Sequence, residues 1–162
     1  LHSSDIYESR EYLNKVHRVF ENSDCEILYT SLYQFNIKNS KIKIKRNWEA
    51  QNFKTKKLKS GWMPPHCATF VRREHYVKNL YSTKYRISSD YNWLLKKLKS
   101  IEISKVKHLP ELYYMQRLDG VSTNKKFFIK KFCEDYVILK EHYYFSFFIA
   151  IMKRISKITQ YL

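Results

Sequence analysis

The sequence predicts an α/β fold, a mixed sheet flanked by helices with further helices at the C-terminal end. Three observations predict it. Apolar residues recur at helical spacing through Tyr12, Leu13, Val16, Val19 and Phe20, from about Glu8 to Glu21. They alternate as in a strand from Ile27 to Phe35, with Ile27, Tyr29, Tyr33 and Phe35 on one side. Between Gly61 and Leu98, Pro64, Pro65 and the Ser88-Ser89 pair divide the chain into loop, short strand, short helix, basic loop and helix.

Size and composition bound the rest. At 162 residues and 19.9 kDa the chain is long enough for a core, and 44% hydrophobic with 17% aromatic residues argues against disorder. No repeat, low-complexity tract or linker interrupts it, so residues 1–162 read as a single domain. The formal net charge is +16, from 31 Lys and Arg against 15 Asp and Glu, which predicts attraction to phosphates of nucleic acid, anionic lipid or nucleotide-sugar. Joint enrichment in Lys, Asn, Ile and Tyr also follows from AT-rich coding, so the charge alone argues weakly for a polymer partner. No RNA- or DNA-binding motif is present, and nucleic acid is not expected as a partner; a basic, aromatic-rich nucleic-acid-binding module is the alternative class. Cys25, Cys67 and Cys133 are odd in number and lack zinc spacing, as reduced thiols in a cytoplasmic protein would. The polar, acidic start reads as no secretory signal, and a cytoplasmic location is expected.

After the first helix and strand, Lys38-Asn39-Ser40-Lys41 makes a turn, and Ile42 and Ile44 alternate with lysines in a hairpin partner. Residues 47–60 are basic, polar and unpatterned, and read as a loop or frayed helix. Pro64 and Pro65 hold an extended loop that sets His66 against the next strand. Ser88 or Ser89 caps a helix whose first turn carries Asp90 and whose buried stripe is Leu94, Leu95 and Leu98. Residues 101–108 and 112–115 read as two short strands parted by Pro110. Ser122 or Thr123 caps a helix with Phe128, Phe132, Tyr136 and Leu139 in an i, i+4 rhythm. The tail, Phe145 to Met152, is apolar on nearly every face and followed by Lys153, Arg154 and Lys157. It is too short to span a bilayer, which takes about 20 apolar residues. It is either a core-docked helix or, through residues 145–157, a peripheral contact with anionic lipid.

Two blocks carry a resemblance. Met63-Pro64-Pro65-His66-Cys67-Ala68-Thr69-Phe70-Val71-Arg72-Arg73 resembles a Met-Pro-x-His-x-x-x-Phe-x-Arg-Arg loop and strand. Ile87-Ser88-Ser89-Asp90-Tyr91-Asn92-Trp93-Leu94-Leu95 resembles the Ala/Ser-x-Asp-Tyr-x-x-Leu-Leu helix that follows it. Both belong to bacterial family 2 glycosyltransferases of the colanic-acid and capsule type. Leu1-His2-Ser3-Ser4-Asp5-Ile6-Tyr7 is similar to that family's Leu-Asn-Ser-Asp-Asp-x-Tyr segment, with Ser4 for the first acid. Tyr114 to Ser122 is similar to its Met-Arg-x-Gly-Gly-x-Ser segment, with Asp119 for the first glycine.

The resemblance implies an incomplete nucleotide-diphospho-sugar transferase sheet of GT-A type, the acceptor-side half, with the N-terminal nucleotide-binding half absent and little turnover from these residues alone. It implies transfer of a sugar from a nucleotide-sugar donor to a saccharide or lipid-linked acceptor in surface polysaccharide synthesis, at the inner face of the plasma membrane, with inversion. Asp90 stands as the expected base, because the acceptor hydroxyl must lose a proton. Asp5 stands as the expected ligand of Mg²⁺ or Mn²⁺, which bridges hard oxygens to the diphosphate. His66 lines the site in this comparison, or is a packing histidine. Arg72 and Arg73 end the strand, and alternation sends only one to the site. Trp62 and Trp93 stand as sugar-stacking candidates, or as core residues. A non-catalytic remnant of such an enzyme is the third reading.

Overall fold

A computed structural model describes residues 5–118, 127–158 and 160; Ser4, Asp119, Gly120, Ser122 and Thr123 lie outside the described residues. Within them the chain is α/β, an open mixed sheet flanked by helices. β1 (Ile6–Tyr7) leads into α1 (Tyr12–Glu21), then β2 (Ile27–Lys38) and β3 (Lys41–Trp48) form a hairpin. A one-turn α2 (Thr55–Leu58), β4 (Thr69–Val71), α3 (Arg73–Lys78) and α4 (Ser89–Ser100) cross over to β5 (Val106–Arg117). α5 (Phe128–Lys140) and α6 (Ser146–Ile158) close the described chain.

β2 organises the sheet. One edge pairs in parallel with β5, and the other is shared by antiparallel β4, opposite Ile27 to Tyr29, and β3, opposite Leu32 to Lys38. β1 adds antiparallel to the far side of β5. Helices cover both faces, which corrects the one-sided alternation expected for β2. Ile27 and Tyr29 face a core shared with Leu94, Leu95, Leu98, Ile138 and Leu139. Leu28 and Leu32 face a second core with Tyr12, Val16, Cys25 and Tyr114. A central strand buried on two sides reads as a near-continuous apolar run.

The hairpin turns on Asn39 (φ 51°) and Ser40 (φ 59°), two left-handed residues that match the twist of the flanking strands. β5 is a single strand, not the two expected around Pro110. Its register to β2 jumps between Leu109, opposite Thr30, and Tyr113, opposite Ser31, so Pro110 sits in a bulge. Proline has no N–H to give a ladder, and a bulge is where a strand tolerates that. On α5 Leu139 is buried and Phe132 and Tyr136 pack against the core as expected, but Phe128 is 57% exposed and Asp135 and Ile138 are buried in addition. Gly61 lets α6 approach closely. Its φ is +78°, and a Cβ there would stand 2.7 Å from Lys153 Cβ and 2.9 Å from Ile149 O. No helix among the described residues is long and apolar enough to cross a membrane.

Candidate functional site

Pro65 is extended (φ −62°, ψ 114°) and its carbonyl accepts from Ala68 N at 3.0 Å and from Thr69 Oγ1 at 2.8 Å. Those bonds turn His66, Cys67 and Ala68 into one 3₁₀ turn immediately ahead of β4. His66 thus projects from a tight turn rather than from the extended loop expected.

α4 begins differently from its sequence signal. Ser88 occupies the N-cap position but makes no side-chain cap. The carboxylate of Glu134, on α5, instead accepts from Ile87 N (2.9 Å) and Ser88 N (2.8 Å), while Ser88 Oγ donates to Asp135 Oδ1 at 2.8 Å. Acidic oxygens at a helix N-terminus satisfy unpaired N–H groups and meet the positive end of the dipole. The start of α4 is therefore fixed from another helix.

Asp90 follows in that first turn. Its Oδ1 accepts from Tyr91 N at 2.7 Å, and its Oδ2 lies 3.2 Å from His66 Nδ1. Both side chains remain reachable from solvent, His66 40% and Asp90 33% exposed. The thiol of Cys67, next in the turn, is pushed up to about 12 by burial, with the charges of Asp5 and Asp90 adding to the shift. Of the sequence candidates, His66 and Asp90 are the two brought into direct contact.

Asp5 is anchored by its own hydrogen bonds. Tyr114 Oη donates to Oδ2 at 2.9 Å and Arg117 N donates to Oδ1 at 3.0 Å. Among the described residues no group of three or more His, Cys, Asp or Glu side chains is arranged to hold a metal ion. With both its oxygens already accepting, Asp5 alone does not make a metal centre, so the Mg²⁺ or Mn²⁺ implied by the resemblance does not fit the described residues by themselves.

The remaining candidates lie apart from the His66–Asp90 contact. Arg72 turns back on α1: Nε donates to Cys25 O (2.7 Å) and Nη2 to Phe20 O (2.7 Å) and Ser23 O (3.1 Å). Arg73 opens α3 and is exposed, beside a shallow groove of about 380 Å³ lined by Phe20, Val71 and Glu74. β4 ends at Val71, so strand alternation does not govern either arginine. Trp62 is half-buried against the core, with its ring edge-on to Tyr29 at 6.0 Å. Trp93 is 6% exposed, donates Nε1–H to Asn79 O and stacks on Tyr76 at 4.3 Å. A buried Trp cannot offer its face to a sugar.

Sequence reasoning missed Tyr81. Its ring rests against Trp93 and Tyr76 at 5.8 Å from each, is 42% exposed, and lies near enough to Asp90 for that charge to help push its phenol upward, burial being the larger cause. The only signal was a tyrosine in a basic loop, which without the fold does not distinguish it from thirteen others.

Comparison with models of protein families, with curated proteins and with solved structures finds no match to this chain. Fold and site define its class as an α/β protein with an open mixed sheet and an accessible His–Asp pair at one turn.

Proposed function

We propose that this chain is the acceptor-side half of an inverting glycosyltransferase, built on an incomplete GT-A type sheet, and that Asp90 is its general base. The observation that carries the reading is the 3.2 Å contact between His66 Nδ1 and Asp90 Oδ2. It joins the two sequence blocks on which the family resemblance rests. In the transfer, an acceptor hydroxyl gives its proton to Asp90 as its oxygen attacks the anomeric carbon. The bond from that carbon to the donor diphosphate breaks on the opposite side, and the diphosphate leaves with the electron pair. His66 holds the carboxylate in one orientation, and the exposed face of Tyr81 offers a surface for a sugar ring. Arg72 is already shared among three carbonyls and Arg73 lies apart from the Asp90 turn, so neither arginine is given a role in the transfer.

The test uses the full product of the reading frame that contains these residues. It is assayed for nucleoside diphosphate release from UDP-, GDP- and dTDP-sugars with saccharide and lipid-linked acceptors. Asp90→Asn keeps the size of the side chain and an acceptor for Tyr91 N while removing the base. The expected loss is about 10²–10⁴-fold in kcat, with donor affinity nearly unchanged. Full activity in the Asn variant ends the assignment of Asp90. No transfer from any donor overturns the enzyme reading in favour of a non-catalytic remnant. Tight oligonucleotide binding with a steep salt slope would instead assign the nucleic-acid class.

A further inference from the structure

α5 and α6 pack against one another in antiparallel fashion. Phe147 meets Phe132 and Tyr136 edge-on at 6.4 and 6.0 Å, while Asp135 receives Lys153 and Arg154 from farther along α6. α6 buries one face through Ser146, Ile149, Ala150 and Lys153. The opposite face stays apolar and uncovered among the described residues: Phe147 is 58% exposed, Phe148 62%, Ile155 50% and Ile158 69%. α5 continues that surface with Ile129 at 75% and Val137 at 40%.

Its charges are of one sign. α6 contains no Asp or Glu, and Lys130 and Lys140 flank the exposed side of α5. The acids of α5 are turned inward: Asp135 is 1% exposed within its ion pairs, and Glu134 caps the start of α4. Arg154, already paired with Asp135, sits over Phe128 and Phe132 at 4.9 and 5.8 Å and joins the cationic flank to the aromatic one.

We propose that this two-helix face docks in the plane of an anionic lipid bilayer, with Phe147, Phe148, Ile155 and Ile158 entering the acyl boundary and the flanking lysines meeting lipid phosphates. Lys153 and Arg154 of α6 are engaged by Asp135, so the exposed cations beside the face are Lys130 and Lys140 of α5, and an apolar helical face with cations beside it is the form that lies in a membrane interface. Exposed apolar patches of this kind mark contact surfaces. A second copy of the chain is disfavoured as occupant, because it would bring two cationic rims together in a molecule of net charge +16. Lipid phosphates supply the complementary sign. The face shares no residue with the His66–Asp90 turn, so it stands or falls separately from the transferase reading.

The full chain is floated with vesicles of phosphatidylcholine alone and of phosphatidylcholine with an equal amount of phosphatidylglycerol. Strong partition to the anionic vesicles and weak partition to the neutral ones is expected. Phe148→Ser combined with Ile155→Ser, both at exposed positions, is expected to lower that partition about tenfold or more. Lys130→Gln is expected to lower it a few-fold. Val77→Ser with Leu80→Ser, exposed elsewhere at 68% and 82%, is the control and leaves it unchanged. Three results overturn the proposal. One is no binding to anionic vesicles. Another is binding that the α6 double variant leaves intact, which would make it a generic effect of net charge. The third is a concentration-dependent dimer abolished by the same variant, which would give the face to a second copy.

Discussion

Arg72 shows how one side chain can hold two segments that adjacency in sequence does not join. Its guanidinium collects the carbonyls of Phe20, Ser23 and Cys25, where α1 ends and the chain turns into β2. It also covers the Phe20 ring at 5.4 Å. The C-terminal carbonyls of a helix lack intrahelical partners and favour a cation. Arg72→Ala is expected to cost about 2–3 kcal/mol, the scale of charged hydrogen bonds, read as a lower denaturation midpoint with unchanged slope. Arg72→Lys recovers little, because an ammonium on a single stem does not reproduce a planar fork. A loss of donor affinity with stability intact would instead return Arg72 to the site. The sequence reading put this arginine at the end of a strand, whereas it follows β4 as the N-cap of α3, and its partners are about fifty positions away. Asp90 was more legible. A carboxylate in the first turn of a helix and a histidine after two prolines are both local features, although the N-terminus of that helix is held by Glu134 of α5 and not by a local cap.

At the scale of elements, α4, α5 and α6 are joined through Asp135. Ser88 Oγ donates to one of its oxygens, and Lys153 (3.0 Å) and Arg154 (3.2 Å) approach the other. Lys153 Nζ also lies over the Tyr91 ring at 2.9 Å. Burial alone would raise the Asp135 carboxyl, but Lys153, Lys131 and Ser88 outweigh it and hold the group below the ordinary carboxylate range. Lys153 is brought down to about 8, chiefly by burial, despite its acidic partner. A carboxylate with a depressed folded-state pKa contributes stability that is present above its unfolded pKa of about 3.9 and lost as pH falls through the folded value. Asp135→Asn is expected to cost about 3–5 kcal/mol at pH 7, since it strands a buried ammonium, and to flatten the acid limb of the stability profile. Glu141→Gln, which removes the exposed pair with Lys84 but leaves an acceptor for Tyr85 Oη, is the comparison and is expected to change stability far less. An Asp135→Asn variant as stable as the parent would show that the ion pair merely balances its desolvation. None of this was legible beforehand. Asp135 and Lys153 lie on segments whose apolar rhythm drew the reading to Phe128 and Phe132, and charge burial leaves no periodic trace.

Over the whole molecule, the elements with strong local signals were legible and their extents were not. The α1 rhythm, the lysine hairpin and the buried leucines of α4 appear where periodicity put them, while β5 runs through Pro110 because its register with β2 absorbs a bulge. The net charge of +16 is also a whole-molecule property, with its own consequence for stability. Lysines stand exposed along the β2–β3 hairpin, on α2 and on α5, and among the described residues the lysine–carboxylate pairs are those of Lys84, Lys105 and Lys153. Like charges brought together by folding repel one another and destabilise the compact state. Ions screen that repulsion, with a Debye length of about 30 Å at 0.01 M and about 8 Å at 0.15 M. Exposed ion pairs such as Lys84–Glu141 weaken over the same range, but such pairs contribute little, and lysines and arginines outnumber acids 31 to 15. Raising sodium chloride from about 0.01 to 0.15 M is therefore expected to increase Tm by several degrees, about 2–4 °C for each kcal/mol relieved in a chain of this size. The increase flattens beyond that range, since the Debye length is by then shorter than most lysine–lysine separations on a surface. A Tm that falls with salt would mean that paired charges outweigh unpaired ones, and that the surplus of lysines is already neutralised within the fold.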